Sequence, residues 1–332
     1  MRIGVMIGPE RGRYRSKVAR LCSDARWAEE AGLDTVWIPQ IPDEFDAMTA
    51  AAIVGAETSR IEVGTAVVPV QPRHPVVLAQ QALSVQSVCE GRFTLGLGVS
   101  HHWIVTDMLG LPYEQPVATM GAYLDVLEPA LSGPGTVEVE NERFRVHQPL
   151  DITDLAPTPV LLAALGPRML ELCGRRAAGT ILWMADERAI ERHVVPLLTK
   201  AAAGAGRPQP RIVAGVPVCV CREAEVPAAV ERTNRILAEA ETSPNYQRLL
   251  EHGDARAVGD ILAAGSEARV AKRLRSFLDA GATDLSVRVV PIGSGRDELV
   301  ASMQRTRAFL ASLAAERRGG ATAHPLHGPG AP

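Results

Sequence analysis

The chain has 332 residues, 46% hydrophobic and 4% aromatic, so a full core is available and must be built from Leu, Val, Ile and Ala. With 35 basic and 38 acidic side chains the formal charge is −3, and there is no basic block, which argues against a nucleic-acid surface; no apolar run approaches the ~20 residues of a bilayer span. Five cysteines, at 22, 89, 173, 219 and 221, make neither a disulfide framework nor a zinc site, and no other metal set stands out. They read as buried thiols in a reducing cytoplasm, in keeping with a first strand that starts at once and leaves no room for a signal peptide.

The first strand is expected over residues 2–7, followed by a helix over 16–31 that ends at Gly32, a residue suited to a helix terminus. A second strand over 34–38 and a helix over 47–58 come next. Residues 61–67 are β-branched and apolar; Pro69 and Pro72 break the run, and Pro75 opens a helix that reads to Cys89. Gly91-Arg92-Phe93 begins a fourth strand that closes on Gly96-Leu97-Gly98-Val99-Ser100. Two near-continuous apolar strands joined by a helix form a βαβ unit, parallel and buried on both faces. Its terminal glycines are expected to let a flat ligand approach the backbone. A helix then covers 120–131, and residues 136–146 alternate about Glu140-Asn141-Glu142 like an inserted hairpin. Further strands are expected at 160–163, 179–183, 212–221 and 284–290, with helices at 168–177, 187–204, 224–239, 266–280 and 296–316. Residues 240–265, punctuated by Pro244, Gly253, Gly259 and Gly265, read as a partly helical excursion before the last strand, and 317–332 as an unstructured tail.

Eight strands alternating with helices fit a (β/α)8 barrel or a doubly wound open sheet. The combination of Gly64-Thr65-Ala66-Val67, Pro72-Arg73-His74-Pro75, Gly91-Arg92-Phe93 and Gly96-Leu97-Gly98 resembles the luciferase-like flavin and deazaflavin oxidoreductases. The likeness is closest to the actinobacterial branch that uses coenzyme F420, and it extends over residues 2–315. It implies a single (β/α)8 TIM barrel over 1–316 and an F420-dependent enzyme. Hydride would pass between C5 of the deazaflavin and an unsaturated or carbonyl carbon of a small organic substrate. An FMN-dependent monooxygenase and a barrel that binds a cofactor without turnover are the alternatives. Members commonly form homodimers through helices near the second and third strands, and the alanine-rich run 47–56 suits close helix packing.

In such a barrel the active site gathers at the carboxyl ends of the strands. Those ends deliver Gly8-Pro9-Glu10, Pro39-Gln40, Val99-Ser100-His101-His102, Ala164-Leu165-Gly166-Pro167, Met184-Ala185-Asp186 and Pro291-Ile292-Gly293. The rim is small and apolar, which suits a flat cofactor and a moderately apolar substrate. By resemblance, Ala66-Val67 is a non-proline cis step supporting the central ring, and Gly98, Val99 and Ser100 approach the ring or ribityl chain. The turn Ala164-Leu165-Gly166, ahead of a helix amino end, and Gly179-Thr180 are implied for the cofactor phosphate. His101 or His102 is a proton donor or a rim hydrogen-bonding group. Gln40 can hydrogen-bond the cofactor but stands where some deazaflavin dehydrogenases carry Asp-His, and an amide is no acid or base at neutral pH. Arg73-His74 can clamp a phosphate or brace its loop. Trp183 reads as rim packing, and Glu10, Asp43 and Asp186 as solvated loop charges.

Overall fold

Apolar strands that bury both faces need cover on each side, and a ring of them surrounded by helices supplies it. The computed structural model, which describes residues 2–8, 16–152, 156–237 and 243–321, has this form. Its ring strands are β1 (Arg2–Met6), β2 (Thr35–Ile38), β3 (Glu62–Thr65), β4 (Phe93–Gly98), β5 (Val160–Leu162), β6 (Gly179–Leu182), β7 (Arg211–Val220) and β8 (Asp284–Val289). Each pairs in parallel with the next, and β8 returns to β1 through Arg2↔Asp284 to Val5↔Val287. The fold is thus the closed (β/α)8 barrel, and the open sheet is excluded.

The helices follow from local signals. Pro75 sits at the first position of helix Pro75–Val88, and Gly32, with φ +76°, takes the left-handed turn after helix Lys17–Glu30. The hairpin pairs Gly135–Glu140 with Arg145–Leu150. The excursion contains a helix (Pro244–Glu251), a short turn of helix (Val258–Ile261) and a strand (Ala263–Gly265) that extends the sheet along the outer end of β7. The last helix, Arg296–Ala321, runs beyond residue 316 into the expected tail; 322–332 and Glu10 lie outside the described residues.

The barrel is filled. Trp37 occupies its middle with Leu161, Ile181 and Val213, and there is space for the indole because a Cβ on Gly64 would stand 2.3 Å from its ring. At the amino end, Arg211 donates to Glu62 at 2.8 Å and to Asp284 at 2.6 Å, while Thr94 donates to Glu62 at 2.6 Å. The amino end is closed by this ionic layer, so the opposite mouth is left for a ligand.

The alanine-rich helix Ala47–Glu57 uses its small residues within the chain: Ala47, Ala50, Ala51 and Val54 are buried, and a Cβ on Gly55 would stand 2.4 Å from the Cys89 sulfur. All five cysteines are buried free thiols, with burial pushing Cys89 up to about 11 and Cys173 and Cys219 up to about 12. Thiols so placed are poor nucleophiles. Among the described residues no helix is long and apolar enough to cross a membrane.

Candidate active site

At the carboxyl ends of the strands the barrel opens into a cleft of about 1750 Å³. Its first wall comes from an irregularity in β3. Strands β3 and β4 pair at Gly64↔Thr94, and the continuation of β3 pairs again at Val68↔Leu97. From 64 to 68 is four steps on β3, whereas 94 to 97 is three on β4. The extra residue is a bulge, and within it the Ala66–Val67 peptide is cis. Thr65 replaces the missing ladder bonds: its hydroxyl accepts from the Gly96 amide at 2.8 Å and donates to the Gly96 carbonyl at 2.9 Å. A Cβ on Gly96 would lie 2.0 Å from the Thr65 carbonyl oxygen, and one on Gly98 would lie 2.6 Å from a Val67 methyl. These glycines make room for the bulge. The cleft is lined by Ala66 and Val67 themselves.

The second wall comes from Ala163 and Leu165 after β5 and from Ile181, Leu182 and Trp183 at β6. Helix Pro167–Arg176 starts here with Gly166 as its N-cap, no side-chain cap, no acidic residue in its first turn, and open space where a Gly166 Cβ would be. An uncapped helix start of this kind suits an anion.

The third wall follows β4. Ser100 adopts φ +58°, a left-handed conformation uncommon outside glycine, and its carbonyl accepts from the Tyr113 hydroxyl at 3.3 Å. The chain turns there, placing His101 in the cleft. Its Nδ1 is hydrogen-bonded to the Ser243 hydroxyl, and its ring stacks on Tyr246 at 5.7 Å and leans on Trp103 at 5.8 Å. Burial pushes the Tyr246 phenol up to about 12. Ser243 and Tyr246 belong to the excursion, so the segment outside the barrel helps to shape the site.

The excursion is anchored by Asp186, which is buried. Its carboxylate accepts from the amides of Ala189 (2.8 Å), Asp254 (2.6 Å) and Ala255 (2.7 Å). Beside it, His193 donates through Nε2 to the Leu165 carbonyl at 2.8 Å and stacks on His252 at 3.9 Å. Burial holds the His193 imidazole below its ordinary value, and the neighbouring His252 lowers it further.

Of the residues singled out in the sequence, the structure brings Gln40, Ala66, Val67, Ser100, His101 and Leu165 onto one cleft. Others fall elsewhere. Gly179 and Thr180 open β6 at the amino end of the barrel, opposite the mouth; Gly179 lies against the Arg211 backbone, and Thr180 donates to the Leu162 carbonyl at 2.8 Å. Ile181, one step further along the pleat, is the β6 residue that meets the cleft. Gly98 faces Val67 as described. Val99 and Ala164 are buried behind the lining, with the Val99 carbonyl accepting from Gln71 at 2.6 Å. His102 is exposed, edge-on to Tyr113, and outside the cleft lining. Gln40 and Arg73 line the cleft and also brace the start of helix Ala47–Glu57: Gln40 accepts from the Ala47 amide at 2.9 Å, and Arg73 pairs with Asp46. His74 caps its own helix by accepting from the Val76 amide at 3.3 Å. Asp186 is a buried anchor, in place of the solvated charge its loop position implied.

Sequence reasoning missed the arginines on the side of the cleft between β7 and β1, among them Arg232 and Arg288. A signal was present. Asp284, Ser286 and Arg288 alternate with Leu285, Val287 and Val289, which puts a polar edge of β8 inside the barrel.

The family model described as luciferase-like monooxygenase matches residues 1–284. The F420-dependent hydroxymycolic acid dehydrogenase of Mycobacterium tuberculosis is 32% identical over 216 residues, spanning 61% of this chain and 57% of that one. Two solved structures share the fold. The coenzyme F420 dependent tetrahydromethanopterin reductase of Methanopyrus kandleri superposes with a TM-score of 0.69 at 19% identity, covering 90% of this chain and 96% of that one. The EDTA monooxygenase of Chelativorans sp. superposes with a TM-score of 0.76 at 18% identity, covering 96% and 94%.

Proposed function

Because the chain belongs to the luciferase-like monooxygenase family, we propose that it is an oxidoreductase working with coenzyme F420, exchanging hydride with an unsaturated or carbonyl carbon of a small organic substrate. The observation that carries this reading is the bulged wall at Ala66 and Val67. It faces Ala163, Ile181 and Trp183 across one cleft and gives a flat ring system an apolar shelf of small side chains. The choice of F420 is supported by the similarity to the mycobacterial F420-dependent dehydrogenase.

The bound cofactor would supply the hydride; the protein supplies binding, orientation and the proton. Ala66, Val67 and Ala163 would hold the ring. Ser100 would offer a hydroxyl to the polar chain, and the uncapped helix start at Gly166 would take the phosphate. Ser243 and Tyr246 fix the His101 imidazole, so its proton would pass to the substrate through Nε2. Trp103 and Tyr246 beside it would help to keep bulk water from the reacting carbon.

Turnover tests this assignment. Reduced F420, mixed under nitrogen with the protein and a panel of enones, imines and aldehydes, should be reoxidised only when protein and acceptor are both present. A reaction that instead requires FMN and dioxygen would move the protein to the oxygenases and overturn the reading.

A further inference from the structure

Two hydrogen-bond donors flank the cleft histidine and have no acceptor of their own among the described residues. Trp103 lines the cleft, and its indole N–H is buried without a partner. Tyr246 lines it as well, and its hydroxyl makes no hydrogen bond among the described residues. The phenol nearer β4 is already engaged, since the Tyr113 hydroxyl donates to the Ser100 carbonyl at 3.3 Å. Buried donors are nearly always paired, so a cleft flanked by two such groups is shaped for an acceptor.

The way Tyr246 arrives points in the same direction. Ser243 is the N-cap of helix Pro244–Glu251, where a serine side chain ordinarily accepts from its own helix, yet it makes no capping bond. Its hydroxyl is hydrogen-bonded to His101 Nδ1 instead. Tyr246 follows three residues later, on the same side of the first turn. Its ring lies along the imidazole, with centroids 5.7 Å apart and planes 28° apart. The helix start thus forgoes local stabilisation and commits two side chains to the barrel histidine. Trp103 lies against the same imidazole at 5.8 Å. With burial pushing the Tyr246 phenol up to about 12, its hydroxyl stays protonated and able to donate at neutral pH.

These donors discriminate among reducible groups. An indole N–H can only donate, and a carbonyl oxygen has two lone pairs to receive such donors. An alkene has no lone pair. An iminium nitrogen, the reducible form of an imine, carries a positive charge and has none either.

We propose that the substrate is a carbonyl compound, an aldehyde, ketone or enone, and that Tyr246 is a catalytic residue whose hydroxyl holds the carbonyl oxygen. Trp103 would be the second donor to that oxygen. This deepens the reading given above and rests on the cleft being the reaction site. Hydride from the reduced cofactor adds to the carbonyl carbon, or to the β-carbon of an enone. The displaced π pair collects on oxygen, and one proton completes the product. The Tyr246 hydroxyl meets that growing charge, where a fixed donor does most for the rate.

The test uses the full-length protein without cofactor and the probe 4-dimethylaminobenzylideneacetone. This enone absorbs at longer wavelength when its oxygen accepts a hydrogen bond, so binding should shift its band to the red. Tyr246→Phe keeps the ring on His101; it should still bind the probe and keep its melting temperature, yet lose most of the shift. Trp103→Phe should lose a smaller part. With reduced F420, Tyr246→Phe should lower kcat for aldehydes and enones by about a hundredfold while KM stays within about twofold. No shift in the parent, or a full shift in Tyr246→Phe, would overturn the role of Tyr246. Imines reduced as fast as aldehydes would overturn the substrate class. Loss of probe binding together with thermal stability would make Tyr246 a structural residue and also overturn the proposal. Because the spectral shift needs no cofactor, it stands or falls independently of whether the protein uses F420 or FMN.

Discussion

Thr65 shows how a single hydroxyl can hold a binding wall. The β3–β4 ladder is interrupted at the bulge, and there the buried Gly96 amide donates to the Thr65 hydroxyl, which in turn donates to the Gly96 carbonyl. Thr65→Val keeps the shape and removes both bonds. It should cost about 1–3 kcal/mol in denaturant unfolding, because the buried Gly96 amide is left without an acceptor. Thr65→Ser keeps the hydroxyl and should recover most of the loss. His101 and His102 are adjacent in sequence and unlike in setting. His101→Asn should lower turnover by about a hundredfold while F420 binding persists, and His102→Asn should stay close to the parent. Equal losses at both positions would remove the distinction between the cleft histidine and the exposed one.

At the scale of elements, the strands were legible because segments buried on both faces must read as unbroken apolar runs, and the prolines and glycines between them marked the turns. What the glycines do was not legible. Gly96 and Gly98 read as ligand clearances, yet each is small because of a partner on the neighbouring strand: the Thr65 carbonyl and Val67. Gly179, which the resemblance implies for the cofactor phosphate, opens its strand and so stands at the end away from the mouth, a position that strand direction alone indicates. Asp186 depends on a contact that local reading cannot supply, since its partners at 254 and 255 arrive with the excursion. Asp186→Ala leaves three amides without their acceptor. It should lower the melting temperature and increase proteolytic cleavage between residues 243 and 257, with Asp186→Asn intermediate. Cleavage no faster than in the parent would mean that the excursion is held by other contacts.

Across the whole molecule, the excursion couples stability to pH. The fold holds His193 neutral, with its value below the ordinary 6.5, because burial and His252 oppose the charge. A depressed folded value contributes stability that is present above the unfolded value and is lost as pH falls through the folded one. The melting temperature should therefore decline on acidification below about 6.5, and His193→Gln, which retains a donor for the Leu165 carbonyl, should flatten that decline.

The most direct measurement is a pair of equilibrium titrations of the purified chain, one with F420 and one with FMN, each followed by cofactor fluorescence and by binding heat. F420 should bind with micromolar or tighter affinity, and FMN should be weaker by about tenfold or more. Tight FMN binding with little affinity for F420 would contradict this.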